Sequence, residues 1–212
     1  TTIDANSFSA TFTADGDFFG TGTVSVGAGT YTDIAGNPGT AGSDTTSIDT
    51  EGPGPETITL PGGGGTYEIT VDGDELVLRV QGGAELGRER INLITTLTID
   101  GSTSADVIQI LNSGTAVSTT IVFNGGDGND SFDGALATGP LTLNGNGGDD
   151  TLHGGSEADE VFGGDGDDFI RGNGASDSLF GEAGNDFLYG GAQSDLIQGG
   201  DGSDQVFGQG SS

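Results

Sequence analysis

From Gly145 onward the sequence repeats every nine residues: GNGGDDTLH (145–153), GGSEADEVF (154–162), GGDGDDFIR (163–171), GNGASDSLF (172–180), GEAGNDFLY (181–189), GGAQSDLIQ (190–198) and GGDGSDQVF (199–207). A further unit, GGDGNDSFD, stands upstream at 125–133. The sixth position is Asp throughout: Asp130, Asp150, Asp159, Asp168, Asp177, Asp186, Asp195 and Asp204. The eighth is always apolar: Phe132, Leu152, Val161, Ile170, Leu179, Leu188, Ile197 and Val206. In a chain that is 31% hydrophobic, an apolar residue at every one of these positions arises by chance roughly once in ten thousand trials. A period this short confines the chain to stacked identical units, because one unit alone cannot bury its apolar side chain.

Composition narrows what the stack can do. Asp and Glu number 33 against 4 Lys and Arg, for a formal net charge of -29. Such self-repulsion calls for a counter-ion within the fold. It makes nucleic acid and anionic membranes poor partners, since both need basic patches, and no nucleic-acid partner is expected. No apolar run is long enough to span a membrane, so no membrane insertion is expected. Low hydrophobicity with high charge ordinarily means disorder, but disorder does not explain Asp and apolar residues locked in phase. With no Cys, there are neither disulfides nor thiolate metal ligands. His153 is the only His, so a Ser-His-Asp triad or an HExxH zinc site is impossible or incomplete; at an outward position it reads as solvated. Asp149-Asp150 and Asp167-Asp168 resemble the carboxylate pairs of glycosidases, yet the period already assigns one of each pair to the repeat. No stretch fits an EF-hand loop. The chain reads as a non-enzyme.

The repeat has a physical solution. Six residues make a turn and three a short strand; glycines at positions one, two and four permit positive φ and close backbone approach. Two units complete a coil, position eight points inward, and coils stack at about 4.8 Å. Asp side chains eighteen residues apart then lie above one another, repelling by about 1 kcal/mol in water and more when partly buried. A cation between them reverses the sign. Ca²⁺ suits the place, because it takes six to eight hard oxygen ligands in flexible geometry. The position-six carboxylates and the turn residues Gly126, Asp127, Gly128, Gly148, Gly164, Asp165, Gly166, Gly184, Gly200, Asp201 and Gly202 form the candidate metal-binding set.

The pattern GGxGxDxUx resembles the hemolysin-type, or repeats-in-toxin, calcium-binding proteins over residues 125–212. That resemblance implies a parallel β-roll with each ion wedged between neighbouring turns on one edge, secretion or cell-surface display, and export by a type I system. One edge holds the turns at 125, 145, 163, 181 and 199, the other those at 154, 172 and 190. Pairing neighbours, with the truncated turn at 208, gives roughly six Ca²⁺ ions. Glu157, Ala175 and Gln193 replace glycine at position four, so the second edge is expected to bind more weakly.

Upstream, Leu97-Thr98-Ile99, Ile121-Val122-Phe123 and Leu141-Thr142-Leu143 read as equivalent strands, and GSTSADVIQ (101–109) as a degenerate first coil. The predicted fold is all-β: a parallel β-roll or β-helix of nonapeptide repeats preceded by a small β-rich segment. Its parts are 1–50, a β-segment that resembles the C-terminal part of an Ig-like domain; 51–65, a Gly/Pro linker; 66–123, β-strands and degenerate coils, with a hairpin at Tyr67–Val80; and 124–212, the calcium-binding β-roll. The stretch from Val24 to Asn37 resembles the last strands of bacterial Ig-like domains, which implies a large adhesin-like parent protein. TTIDANSF at the start has no leader features, and the chain reads as a fragment of that parent. Positions seven and nine point outward and align Phe169, Phe187, Tyr189 and Phe207, with Arg171 and His153 beside them. This row reads first as a stiffening cross-strand ladder, and second as a contact surface for a glycan or a protein. Two other functions stay open: the C-terminal calcium-binding module of a secreted protease, lipase or polysaccharide-modifying enzyme, and a carbohydrate-binding surface module.

Overall fold

The computed structural model describes residues 19–26, 42–49, 54–72, 75–90, 94–111 and 116–208. They contain strands and turns and no helix. The chain divides into two units, Thr1–Gly52 and Pro53–Ser212. In the first, β1 (Phe19–Val26) pairs antiparallel with β2 (Gly42–Asp49). Most of the Ig-like stretch, residues 27–37, lies outside the described residues.

The second unit is a solenoid. One parallel sheet stacks β3 (Gly54–Thr59), β7 (Ile94–Asp100), β9 (Thr120–Asp127), β11 (Leu141–Gly147), β13 (Glu160–Asp165), β15 (Ser178–Ala183) and β17 (Leu196–Asp201) in that order. The other stacks β4 (Gly65–Asp72), β8 (Asp106–Ile110), β10 (Ser131–Asp133), β12 (Thr151–His153), β14 (Phe169–Asn173), β16 (Phe187–Gly191) and β18 (Gln205–Phe207). From β7 onward the chain crosses from one sheet to the other between successive strands. In the repeats the register advances eighteen residues per coil, as in Ile170↔Leu188 and Leu179↔Ile197. Upstream the coils are longer, yet Leu97, Ile121 and Leu141 still pair in line, as the sequence indicated.

The period of two within each strand makes the core. Phe132, Leu152, Val161, Ile170, Leu179 and Leu188, all at position eight, are fully buried between the sheets, and Ile99, Ile108, Ile121 and Phe123 continue the core upstream. The last coil departs from the pattern: Ile197 is partly buried and Val206 is 48% exposed.

Two features differ from, or add to, the sequence reading. The stretch expected to be a linker contains β3, whose Glu56, Thr57 and Ile58 pair with Leu97, Thr98 and Ile99. Pro55 is tolerated there because β3 is an edge strand, where a missing N–H costs no ladder bond; the Gly/Pro content masked a short apolar alternation ending in buried Leu60. The expected hairpin forms as β4 with β5 (Glu75–Val80), Tyr67 opposite Val80. Beyond it, β6 (Glu85–Arg90) adds a further antiparallel strand. Leu76, Val77 and Leu78 are buried there, so this end of the solenoid is covered by strands.

Candidate metal centre

The position-six aspartates form two ladders. On the first edge the backbone N–H of Asp106 donates to Asp130 Oδ1 (2.7 Å), that of Asp130 to Asp150 Oδ1 (2.7 Å) and that of Asp150 to Asp168 Oδ1 (2.8 Å). The series continues to Asp186 (2.9 Å) and Asp204 (3.1 Å). On the second edge the donors are Leu141 to Asp159 (2.8 Å), Asp159 to Asp177 (2.9 Å) and Asp177 to Asp195 (3.1 Å). These bonds consume one oxygen per carboxylate. The other, Oδ2, is buried without a hydrogen-bond partner in Asp130, Asp150, Asp168, Asp177, Asp186 and Asp195. An ionised carboxylate left in this state is costly unless a cation compensates it.

The charge state reflects that cost. Burial raises Asp168 from the ordinary 3.8 to about 7, with further upward pressure from Asp150, Asp186 and Asp149; backbone N–H donation opposes it. Burial likewise raises Asp130, Asp150 and Asp177 to about 6, and pushes Asp159 and Asp186 upward.

Backbone oxygens crowd the same edges. A methyl group on Gly163 would overlap Asp168 Oδ2 and lie 2.7 Å from the Gly181 carbonyl oxygen, so these two oxygens converge on one point. Gly164 and Gly166 similarly leave no room beside the carbonyls of Asn146 and Gly148 in the turn below. Among the described residues no three His, Cys, Asp or Glu side chains gather as a metal cluster. A cation here must therefore draw much of its shell from carbonyls. Unpaired carboxylate oxygen, stacked carbonyls and no nitrogen or sulfur donor suit a hard ion such as Ca²⁺. A calcium ion held here would supply the positive charge that neutralises the stacked carboxylates.

The candidate glycines are where the turns need them. Gly126, Gly164 and Gly200 at position two, and Gly128, Gly148, Gly166, Gly184 and Gly202 at position four, all have positive φ. So do five non-glycine residues: Asn146, Asn173 and Glu182 at position two, and Ala175 and Gln193 at position four. Glu157 does not. Asp127, Asp165 and Asp201, at position three, are exposed, away from the buried carboxylates.

Sequence reasoning missed a second ladder, exposed on the first edge. The N–H of Asp149 donates to Asn129 Oδ1 (3.1 Å), Asp167 to Asp149 (2.9 Å), Asn185 to Asp167 (2.8 Å) and Ser203 to Asn185 (3.1 Å). Its signal was present, as Asn or Asp at position five in four units of that edge.

The outward row is a continuous stack. Phe169 and Phe187 lie 5.3 Å apart at 9°, and Tyr189 and Phe207 4.8 Å apart at 16°. Arg171 sits over Phe169 and Tyr189. His153 is not solvated as expected: it packs edge-on against Phe169, and burial lowers its pKa.

A family model, the RTX calcium-binding nonapeptide repeat, matches residues 122–136, 144–179 and 180–210 in four copies. The repeat region is a hemolysin-type calcium-binding β-roll. The match does not reach the first 121 residues, so nothing in it supports the Ig-like part. Comparison with curated proteins found no match, and comparison with solved structures found none. The calcium-binding β-roll is a structural module, not a catalytic fold.

Proposed function

We propose that the chain is a calcium-folded module of a secreted or cell-surface bacterial protein, exported by a type I system and belonging to an adhesin-like parent. The observation that carries this reading is the row of buried carboxylate oxygens without a protein partner. Ligands that repel one another when empty link folding to metal binding. At the low calcium of a cytosol the repeats stay unfolded and fit for export; at millimolar calcium outside they fold. The ions would be held by the position-six aspartates together with carbonyls of the Gly-rich turns.

The aromatic row is better read as a stiffening ladder than as a glycan platform. Its rings stack on one another and so cover the faces on which a sugar would lie.

Small-angle X-ray scattering of the whole chain tests the proposal. Calcium should contract the protein and chelator should reverse the change, with magnesium ineffective at equal concentration. A radius of gyration indifferent to calcium would sink it.

A further inference from the structure

The aspartate turns are of two kinds. In the turns beginning at 125, 145, 163, 172, 181, 190 and 199, positions two and four both have positive φ. In those beginning at 101 and 154 neither does. The difference reaches the carboxylate. In the second kind the position-two N–H turns inward and donates to the turn's own aspartate: Ser102 to Asp106 Oδ2 (2.8 Å) and Gly155 to Asp159 Oδ2 (2.6 Å). Asp159 then has both oxygens bonded, since Leu141 N–H holds its Oδ1 at 2.8 Å. In the first kind, positive φ at position two directs the N–H elsewhere, and Oδ2 is left without a partner wherever it is buried.

The cause lies in the turn below. Each open turn is stacked on another aspartate turn, as Gly164 on Asn146 and Gly166 on Gly148. The turn at 154 sits instead on the longer, irregular 134–140 segment, where Ser156 N–H reaches the Ala137 carbonyl at 3.2 Å. The turn at 101 sits on the glycine turn before Gly65, which occupies the register position of Asp106 but carries no carboxylate.

We infer that Asp159, although it fits the repeat, is not a calcium ligand: it is a metal-free foundation for the second edge, closed by its own backbone. This rests on the calcium reading of the neighbouring turns. Ions belong between successive open turns, which are four pairs on the first edge (125/145, 145/163, 163/181 and 181/199) and one on the second (172/190). The second edge is therefore short of ions because its first turn is closed, and not only because glycines are missing from it.

Equilibrium dialysis with radioactive calcium, at saturation and on the whole chain, tests this with D159N and D177N beside the parent. D159N should bind as many ions as the parent, with affinities within about twofold, while D177N should bind fewer. An ion lost in D159N overturns the assignment. Should D159N fail to fold, amide exchange at Gly155 in the calcium-saturated parent decides: slow exchange supports a closed turn, and fast exchange overturns it. A parent that binds no calcium refutes the calcium reading itself, an outcome distinct from either.

Discussion

At the scale of single residues, the turns depend on backbone conformations that most side chains resist. Ala175 and Gln193 hold φ of 67° and 71° where glycine would be unstrained. Replacing either with glycine should stabilise the calcium-loaded protein by about 1 kcal/mol, the cost of left-handed backbone for an L-residue, measurable as a raised urea midpoint. Gly166→Ala should do the reverse. Its φ is 131°, and the added methyl would overlap the Gly148 carbonyl; a loss of ~2 kcal/mol or more is expected. The buried carboxylates also fix a pH dependence. Asp168 is raised to about 7, and Asp130, Asp150 and Asp177 to about 6, from 3.8. A carboxyl raised on folding takes up a proton in the folded state. The calcium-free coil is therefore most stable below pH ~4 and loses stability as the pH rises through ~6 to ~7. Circular dichroism in chelator, scanned from pH 7 to 4, should show β-structure gained on acidification; β-structure that falls instead would contradict the burial of these groups.

At the scale of elements, the strand triplets are interchangeable in pattern but not in environment. Leu152→Ala removes a fully buried side chain from between the sheets and should cost ~2–5 kcal/mol. Val206→Ala alters the same repeat position where it is 48% exposed and should stay within ~0.5 kcal/mol; thermal unfolding of the pair checks the contrast. Phe187→Ala takes out the ring between Phe169 and Phe207, and ~1 kcal/mol per lost ring contact is expected. This asymmetry marks what was legible in the sequence. Position eight and the Asp column declared coil size, register and carboxylate ladder, because each is a side-chain preference recurring at fixed spacing. β3 was hidden: Pro55 and four glycines after Pro61 outweighed a short apolar alternation, and only pairing with β7 makes it a strand. The closed turn at Asp159 was hidden too, since its state depends on the segment beneath it and not on its own residues.

At the scale of the whole molecule, the net charge is -29, and the unit Pro53–Ser212 is held by apolar contacts that run along a solenoid rather than around one centre. Each coil touches only its neighbours, so stability accumulates coil by coil and propagates from whichever end is already ordered. The buried core under β4, β5 and β7 lies upstream of every unit of the calcium repeat and supplies such an end. Repulsion along the two Asp columns opposes growth from it until cations arrive. Monovalent salt screens exposed charge but reaches buried pairs poorly, so sodium chloride should not substitute for calcium. Far-UV circular dichroism of the whole chain, titrated with calcium and then with chelator and run in parallel with magnesium, is the direct test. A β-signal that grows cooperatively with calcium, fails to grow with magnesium and vanishes in chelator is the expected result. A chain equally folded without calcium at neutral pH would mean that the aspartate columns are stable unpaired, and that they are not the metal site that folds this protein.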